Sequence, residues 1–292
     1  MIKDLSVAAY AGSKNHTADK YMHMIPYDGI NVYAEPFGGM FGVGMKKAPH
    51  QTEIYNDLNT KLSLLFKTLS DQENGVLLLD MLCTAEYSER FFEYAKDASN
   101  FLCKYTDGIF DNDNDAVFVS CLIYSTLLMS YNGQMKQFKG VSTGHEEEAF
   151  YKQIKKKLSV IERLKNVHVL NADGVEIIKA CKDKEDAFLF IDPPYTKKND
   201  SSKKNRDSIY EIELLSDEQQ QNLLDALKDA KAKILVCSYR NELYDKTLCD
   251  KYGFKCVDVA ETCKSMSIGR RGCKKSRAVE VAYINYDIRK CH

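Results

Sequence analysis

One stretch of the chain combines residue types that could do chemistry together. Asp192-Pro193-Pro194-Tyr195 directly follows the apolar run Phe188-Leu189-Phe190-Ile191. A carboxylate and a backbone carbonyl are two hydrogen-bond acceptors. Facing the exocyclic amino group of a base such as adenine, they would take bonds from its protons and localise a lone pair that is otherwise conjugated with the ring. The nitrogen then becomes a nucleophile, and an aromatic ring stacked on the base fixes its plane. On this assignment Asp192 and the Pro193 carbonyl are the acceptors and Tyr195 is the stacking ring, with alignment supplying much of the acceleration. The plainer reading is a strand that ends in a proline turn, and the octapeptide alone favours it.

Such a site needs a strand that stops abruptly. The apolar run reads as a buried parallel strand, and Pro193 and Pro194 cannot continue a sheet ladder. They leave the acid and carbonyls at the carboxyl end of a strand, where open α/β sheets bind ligands. A first strand, Ile30–Ala34, runs into Glu35-Pro36-Phe37-Gly38-Gly39-Met40-Phe41-Gly42-Val43-Gly44. Glycines after a strand permit a tight turn and close approach to a ligand. The next strand, Glu53–Asn56, ends at Asp57, the place for an acid that accepts from ribose hydroxyls. Asp57 could equally cap a helix that begins near Asn59 and buries Leu62, Leu65, Phe66 and Leu69.

From about 70 to 166 the pattern is helical. Val117–Met129 is apolar on all sides and reads as the centre of a bundle. Thr143-Gly144-His145-Glu146 has the form of a capping box, opening a helix with Phe150, Ile154, Leu158, Ile161 and Leu164 on one face and Lys152, Lys155, Lys156 and Lys157 largely turned away to solvent. Before it, Tyr131-Asn132-Gly133-Gln134-Met135-Lys136-Gln137-Phe138-Lys139 contains the tight-turn pair Asn132-Gly133. Its amides, lysines and rings could read base edges or stack on bases, though any exposed hairpin can carry them. Strand patterns return at Asn166–Leu170, before Asp173 and a short helix, and at Lys233–Cys237. Phe254–Val259 and Val279–Ile284 read as a closing pair. Ser216-Asp217-Glu218-Gln219 caps a helix with Leu223, Leu224 and Leu227 inward. Basic residues gather after the proline turn (Lys197, Lys198, Lys203, Lys204, Arg206) and again at Arg270–Arg277. The sum is a doubly wound α/β core carrying an inserted helical domain.

Composition narrows the classes. With 44% apolar and 28% charged residues the 292-residue chain is an ordinary globular protein, and a net charge of -1 means that nucleic-acid binding must rest on local charge. None of the ten cysteines is spaced Cys-x-x-Cys, so neither zinc site nor redox pair is indicated. There is no His-x-x-x-His and no Gly-Lys-[Ser/Thr], which counts against metal hydrolysis and a nucleotide-phosphate loop. The amino terminus has no long apolar stretch and no window is long enough to span a bilayer. A reducing cytoplasm without membrane attachment is expected.

Five motifs in order, Tyr10-Ala11-Gly12-Ser13-Lys14, Glu35-Pro36-Phe37-Gly38-Gly39, Asp57 in Asn56-Asp57-Leu58-Asn59, Asp192-Pro193-Pro194-Tyr195, and Ser265-Met266-Ser267 through Lys274-Lys275, resemble those of the Dam-type, alpha-class DNA adenine N6-methyltransferases over nearly the whole chain. The resemblance implies a Rossmann-like methyltransferase core, interrupted by a helical target-recognition domain: residues 1–70 and 166–292 form the core and 71–165 the insertion. It implies S-adenosyl-L-methionine as co-substrate without a metal. Contacts to it are expected at Tyr10, Lys14, Asp57 and Asp192, with Glu35, Pro36, Phe37, Gly39 and Asp173 as further candidates. A flipped adenine is expected at Tyr195, since the amino group is inaccessible inside duplex DNA. Tyr131, Asn132, Gln134, Lys136, Lys139, Lys197 and Lys198 are the candidate contacts to double-stranded DNA. The implied setting is a monomer acting on a specific sequence in a prokaryotic or phage-infected cell, compatible with a separate cognate restriction endonuclease. RNA adenine or a protein amide is the alternative acceptor, and a catalytically silent DNA-binding protein the alternative class. Two departures stand out. Phe41 occupies the place of the motif's last glycine, with Gly42 next, which a one-residue re-spacing of the turn would accommodate. The 131–139 loop lacks the Phe-Asn-x-Pro stretch of GATC readers, so GATC is not the assumed target.

Overall fold

The computed structural model describes residues 5–10, 12–140, 144–194, 216–263 and 277–291. Seven strands, β1 (Val32–Glu35), β2 (Thr52–Asn56), β3 (Val167–Leu170), β4 (Ala187–Ile191), β5 (Lys233–Tyr239), β6 (Lys255–Cys263) and β7 (Arg277–Ile284), form one sheet in the order β3-β2-β1-β4-β5-β7-β6. This is a doubly wound, Rossmann-like order with an antiparallel strand, β7, inserted between β5 and β6. The chain divides into two compact units.

The unit made of Thr17–Gly38, Ala48–Ile54 and Ala172–His292 is built around β4. Ala187, Phe188, Leu189, Phe190 and Ile191 are all at most 1% exposed, because β4 is paired in parallel with β1 on one edge and β5 on the other. A strand with both faces covered needs an unbroken apolar run, and burial of each large side chain stabilises by about 1.5–3 kcal/mol. The sheet is flanked by α7 (Gly174–Cys181) and α8 (Asp217–Ala226). The capping box is present at α8: Ser216 Oγ accepts from Gln219 N–H and the Gln219 side chain returns to Ser216 N–H. Leu223, Leu224 and Leu227 are buried as the pattern required. The expected closing pair is β6 with β7, and β6 carries an irregularity between Asp258 and Ala260.

The second unit comprises Met1–His16, Gly39–Lys47 and Tyr55–Asn171. Its helices are α1 (Thr60–Ser70), α2 (Gln72–Thr84), α3 (Glu89–Thr106), α4 (Asp113–Met129), α5 (Glu146–Ile154) and α6 (Leu158–Leu164). The first four start on side-chain caps at Asn59, Asp71, Ser88 and Asn112, each worth about 1 kcal/mol. Helix α4 sits at the centre, buried at Val117 and from Val119 to Met129, and packs on α1, α2 and α3. Its apolar circumference has the cause the sequence indicated. Where it meets α1, Ser120 and Thr68 hydroxyls pair at 2.7 Å.

Two expectations fail in the α5–α6 region. The apolar repeat from Phe150 to Leu164 does not form one continuous helix: it breaks at 155–157, which leaves Leu158 58% exposed. Lys157, expected in solvent, is only 7% exposed, and its Nζ donates to the Ser6 carbonyl at 2.7 Å. Thr143 of the expected capping box lies outside the described residues, and His145, at the start of α5, makes no side-chain cap. Cys83, Cys103, Cys121, Cys181, Cys237, Cys249, Cys256 and Cys291 are free thiols. No described helix is long and apolar enough to cross a membrane. Among the described residues no group of His, Cys, Asp and Glu could hold a metal ion.

Candidate active site

In the β4-centred unit, the winding direction of the sheet reverses between β1 and β4, which lie side by side in parallel with Val32 opposite Ala187 and Ala34 opposite Leu189. The carboxyl ends of such a pair frame the ligand crevice of doubly wound sheets. From one end issue Glu35-Pro36-Phe37, from the other Asp192-Pro193-Pro194. Glu35 is 3% exposed and accepts from Tyr33 Oη at 2.5 Å. Asp192 is half-buried beside the buried Pro193. Tyr195, Lys197 and Lys198 lie outside the described residues, as does the basic cluster at 270–276.

The proline turn is held from behind. Gln220 on α8, 1% exposed, donates from Nε2 to the Pro194 carbonyl at 2.9 Å, and its Oε1 accepts from the Tyr244 hydroxyl. Burial, reinforced by the charge of Asp192, pushes the Tyr244 pKa up, so Tyr244 remains a proton donor and fixes which way the Gln220 amide faces. The Pro194 carbonyl is therefore occupied, whereas among the described residues nothing hydrogen-bonds the Pro193 carbonyl. Asp173 caps α7 by accepting from Val175 N–H at 2.9 Å. Behind it Gly174 lies so close to the β1 turn that a Cβ would sit 2.6 Å from the Phe37 ring and 2.9 Å from the Pro36 carbonyl. An open groove of about 700 Å³ between α7 and α8 is lined in part by Phe37 and Asp173.

The helical unit assembles the remaining cofactor candidates. Asp57 does not cap α1; Asn59 does, accepting from Lys61 and Leu62 N–H. Instead Asp57 Oδ2 accepts from Gly39 N–H and Oδ1 from Asn59 N–H, both at 2.8 Å, so the acid ties down the glycine turn. Each oxygen keeps a lone pair for another donor. Burial pushes the Asp57 pKa above its ordinary value, against the opposing pull of these two N–H groups. Tyr55 Oη donates to the Gly39 carbonyl at 2.9 Å. Further along the turn, a Cβ on Gly42 would lie 2.8 Å from Asn15 N, and Lys46 Nζ donates to the Asn15 carbonyl at 2.6 Å. The turn therefore meets Asp57 at Gly39 and Lys14-Asn15 at Gly42, with Lys14 only 8% exposed.

Phe41 adopts φ +53°, the left-handed region that explains a glycine in its place. The phenylalanine takes a backbone conformation that glycine adopts most readily. Its ring is fully buried, edge-on to Tyr55 at 5.6 Å and to Phe66 at 6.4 Å. Gly44 makes room for that ring, since a Cβ there would be 2.2 Å from Phe41 Cζ.

The 131–139 loop is a hairpin closed by a Ser130–Phe138 bridge, with Tyr131 N–H on the Gln137 carbonyl at 3.1 Å. Asn132 and Gly133 take φ +53° and +65°, as the turn signal required. Tyr131, Asn132, Lys136 and Lys139 are exposed and Gln134 half-buried. Phe138 is anchored inward against Tyr87 and Phe92.

Residues 10–264 match the family model of the D12 class N6 adenine-specific DNA methyltransferases. The chain belongs to this family. No curated protein matches it. As a D12-class enzyme it methylates the N6 amino group of adenine in DNA, with S-adenosylmethionine as the family's methyl donor. The matched span opens at Tyr10 and contains the glycine turn, Asp57, the helices and Asp192-Pro193-Pro194. Sequence reasoning missed Gln220, Tyr244, Gly174 and Lys157. Of these, only Gly174, directly after Asp173 at a helix start, left a signal in the sequence.

Proposed function

We propose that this D12-class methyltransferase acts on a specific sequence in duplex DNA, on an adenine turned out of the helix, with Asp192 and the Pro193 carbonyl as the acceptors for its amino group and Tyr195 stacked on the base. The observation that supports the reading is the asymmetry of the proline turn: Gln220 occupies the Pro194 carbonyl, whereas among the described residues none hydrogen-bonds the Pro193 carbonyl next to Asp192. Two acceptors on one amino group draw its protons into their plane and free its lone pair. S-adenosylmethionine supplies an electrophilic sulfonium methyl. Asp192, the more basic of the two acceptors, would take the amino proton given up on transfer, while the Pro193 carbonyl would keep the amino group oriented.

The donor fits the residues present. Asp57 offers acceptor capacity to a ribose, and Gly39 gives a backbone free of side chain next to it. We assign its contacts to Tyr10, Lys14, Glu35, Pro36, Phe37, Gly39, Asp57, Asp173 and Asp192. Residues 71–165 serve as the target-recognition domain of a core formed by 1–70 and 166–292. Tyr131, Asn132, Gln134, Lys136 and Lys139 read or grip DNA, an assignment supported by the exposure of the hairpin tip, and Lys197 and Lys198 add phosphate contacts. The test is labelled S-adenosylmethionine with unmethylated plasmid, followed by methylation-sensitive sequencing to obtain the site. A duplex with 2-aminopurine at that adenine should then brighten on binding. Asp192→Ala should abolish transfer while leaving the fold intact. A base that stays stacked, or full transfer by Asp192→Ala, would refute the assignment.

A further inference from the structure

Among the described residues the segment Ser6–Tyr10 has no strand partner, yet Val7 and Ala8 are at most 2% exposed. Buried carbonyls require donors. Here three consecutive ones are served by side chains. Lys157, from the break between α5 and α6, donates to Ser6 O at 2.7 Å; Tyr124 of α4 donates to Val7 O at 2.8 Å; Asn15 Nδ2 donates to Ala8 O at 2.9 Å. The next residue, Ala9, lies against Gly133 of the hairpin, so closely that a Cβ at 133 would stand 1.8 Å from Ala9 O and 3.1 Å from Tyr10 Cα. Three of these four attachments, those at 124, 133 and 157, come from the helical insertion. The segment they hold leads directly into Tyr10 and Lys14.

Lys157 is in this position at a cost. Burial, with Lys156 beside it, lowers its pKa to about 8, so a buried ammonium is retained to serve one carbonyl. Tyr124 is fully buried in the helical core with its hydroxyl aimed at Val7. Gly133 has a left-handed backbone that only glycine adopts readily, and the absence of a side chain puts hairpin backbone directly on Ala9 and Tyr10.

We infer that Tyr124, Gly133 and Lys157 are positioning residues for the cofactor-binding segment, and that engagement of the hairpin by DNA is coupled through Gly133 and Ala9 to binding of the methyl donor. The inference rests on the reading of Tyr10 and Lys14 as donor contacts. Coupling of this kind is reciprocal: DNA that orders the hairpin tightens donor binding, and the donor tightens DNA binding by the same factor.

The experiment is calorimetric titration of the full-length protein with S-adenosylmethionine without DNA, with steady-state kinetics in parallel. Gly133→Ala and Lys157→Met should weaken donor binding roughly tenfold. Tyr124→Phe, which removes one hydroxyl from a packed core and so retains the fold, should weaken it roughly threefold to tenfold. All three should raise KM for the donor more than they lower kcat, a split that general loss of stability would not give. Hydrogen exchange at residues 6–10 should be faster in Tyr124→Phe and slower in wild type once DNA is bound. Tyr10→Ala is the reference. If it loses donor affinity while Tyr124→Phe and the folded members of the other pair bind as wild type does, the positioning role is overturned. If Tyr10→Ala and Lys14→Ala both bind as wild type does, the donor assignment fails, and the exchange rates at 6–10 still decide whether the clamp exists.

Discussion

Phe41 offers a case in which two effects of known size oppose one another. Its φ of +53° is costly for an L-residue, on the order of 1–2 kcal/mol. Its ring is completely buried against Tyr55 and Phe66, and truncating such a ring to Ala costs about 3–5 kcal/mol. Packing should therefore outweigh strain. Phe41→Gly, which restores the glycine the motif leads one to expect, should destabilise by about 1–4 kcal/mol, the lost burial less the released strain. Phe41→Ala loses the same packing and keeps the strain, so it should fall about 1 kcal/mol below Phe41→Gly, reversing the usual advantage of Ala over Gly. Gly44→Ala, whose Cβ would strike the ring at 2.2 Å, should cost about 1–3 kcal/mol in wild type and far less beside Phe41→Gly. The cycle of these two substitutions should then show a coupling of at least about 1 kcal/mol. Equilibrium urea unfolding of the four proteins measures all of it. A Phe41→Gly protein as stable as wild type would refute the reasoning, because strain would then govern the position. Additive effects at 41 and 44 would refute the claim that Gly44 is small on account of the ring.

Two further outcomes follow from the site. Asp57 has its pKa raised from 3.8 by burial in the ligand-free protein, whereas ribose hydroxyls donate best to its ionised form. Donor binding should thus favour the carboxylate, release protons in the acid range, and weaken as pH falls from neutrality through the raised pKa; titrations across pH should show this dependence in wild type and its loss in Asp57→Asn, and identical profiles would count against the ribose assignment. Gln220→Leu removes the donor to the Pro194 carbonyl and the acceptor of the Tyr244 hydroxyl, leaving two buried polar groups unmet at about 1–3 kcal/mol each. Urea unfolding should register a loss of about 2–4 kcal/mol and single-turnover assays a slower transfer step, while a loss within about 0.5 kcal/mol would mean that the proline turn holds itself.

Much of the molecule was legible because side chains and backbone made the same demand at one place. The unbroken apolar run before Pro193 could only be a strand covered on both faces, and β4 is that strand. Ser216 and Gln219 spelled out a helix start in four residues, and the capping box formed. Asp57, some twenty residues past the glycines, was open to two readings, of ribose acid and of helix cap. The structure assigns the cap to Asn59 and gives Asp57 the Gly39 N–H, a bond between residues 18 apart in sequence that no local pattern encodes.

What remained hidden has a common physical origin. Apolar periodicity reports which side chains need burial; it carries no information about which backbone carbonyls in coil segments will be left without donors. Lys157 and Gln220 both answer that second need, across separations of 151 and 26 residues. Each sits next to an apolar stripe and looks like a solvated polar neighbour of it. The α5–α6 break shows the conflict directly: continuing the helix would keep Leu158 on the buried stripe, yet the observed arrangement buries Lys157, whose ammonium satisfies Ser6, and exposes Leu158. Burial of one leucine is worth about 1.5–3 kcal/mol, similar to the 1–3 kcal/mol of a buried carbonyl left unpaired, so periodicity alone could not have decided between them. The segments whose carbonyls are served in this way, Ser6–Ala8 and Pro194, adjoin Tyr10 and Asp192. On the proposed assignment those two residues meet ligands from irregular backbone, where distant side chains supply the order that a helix or strand would otherwise provide.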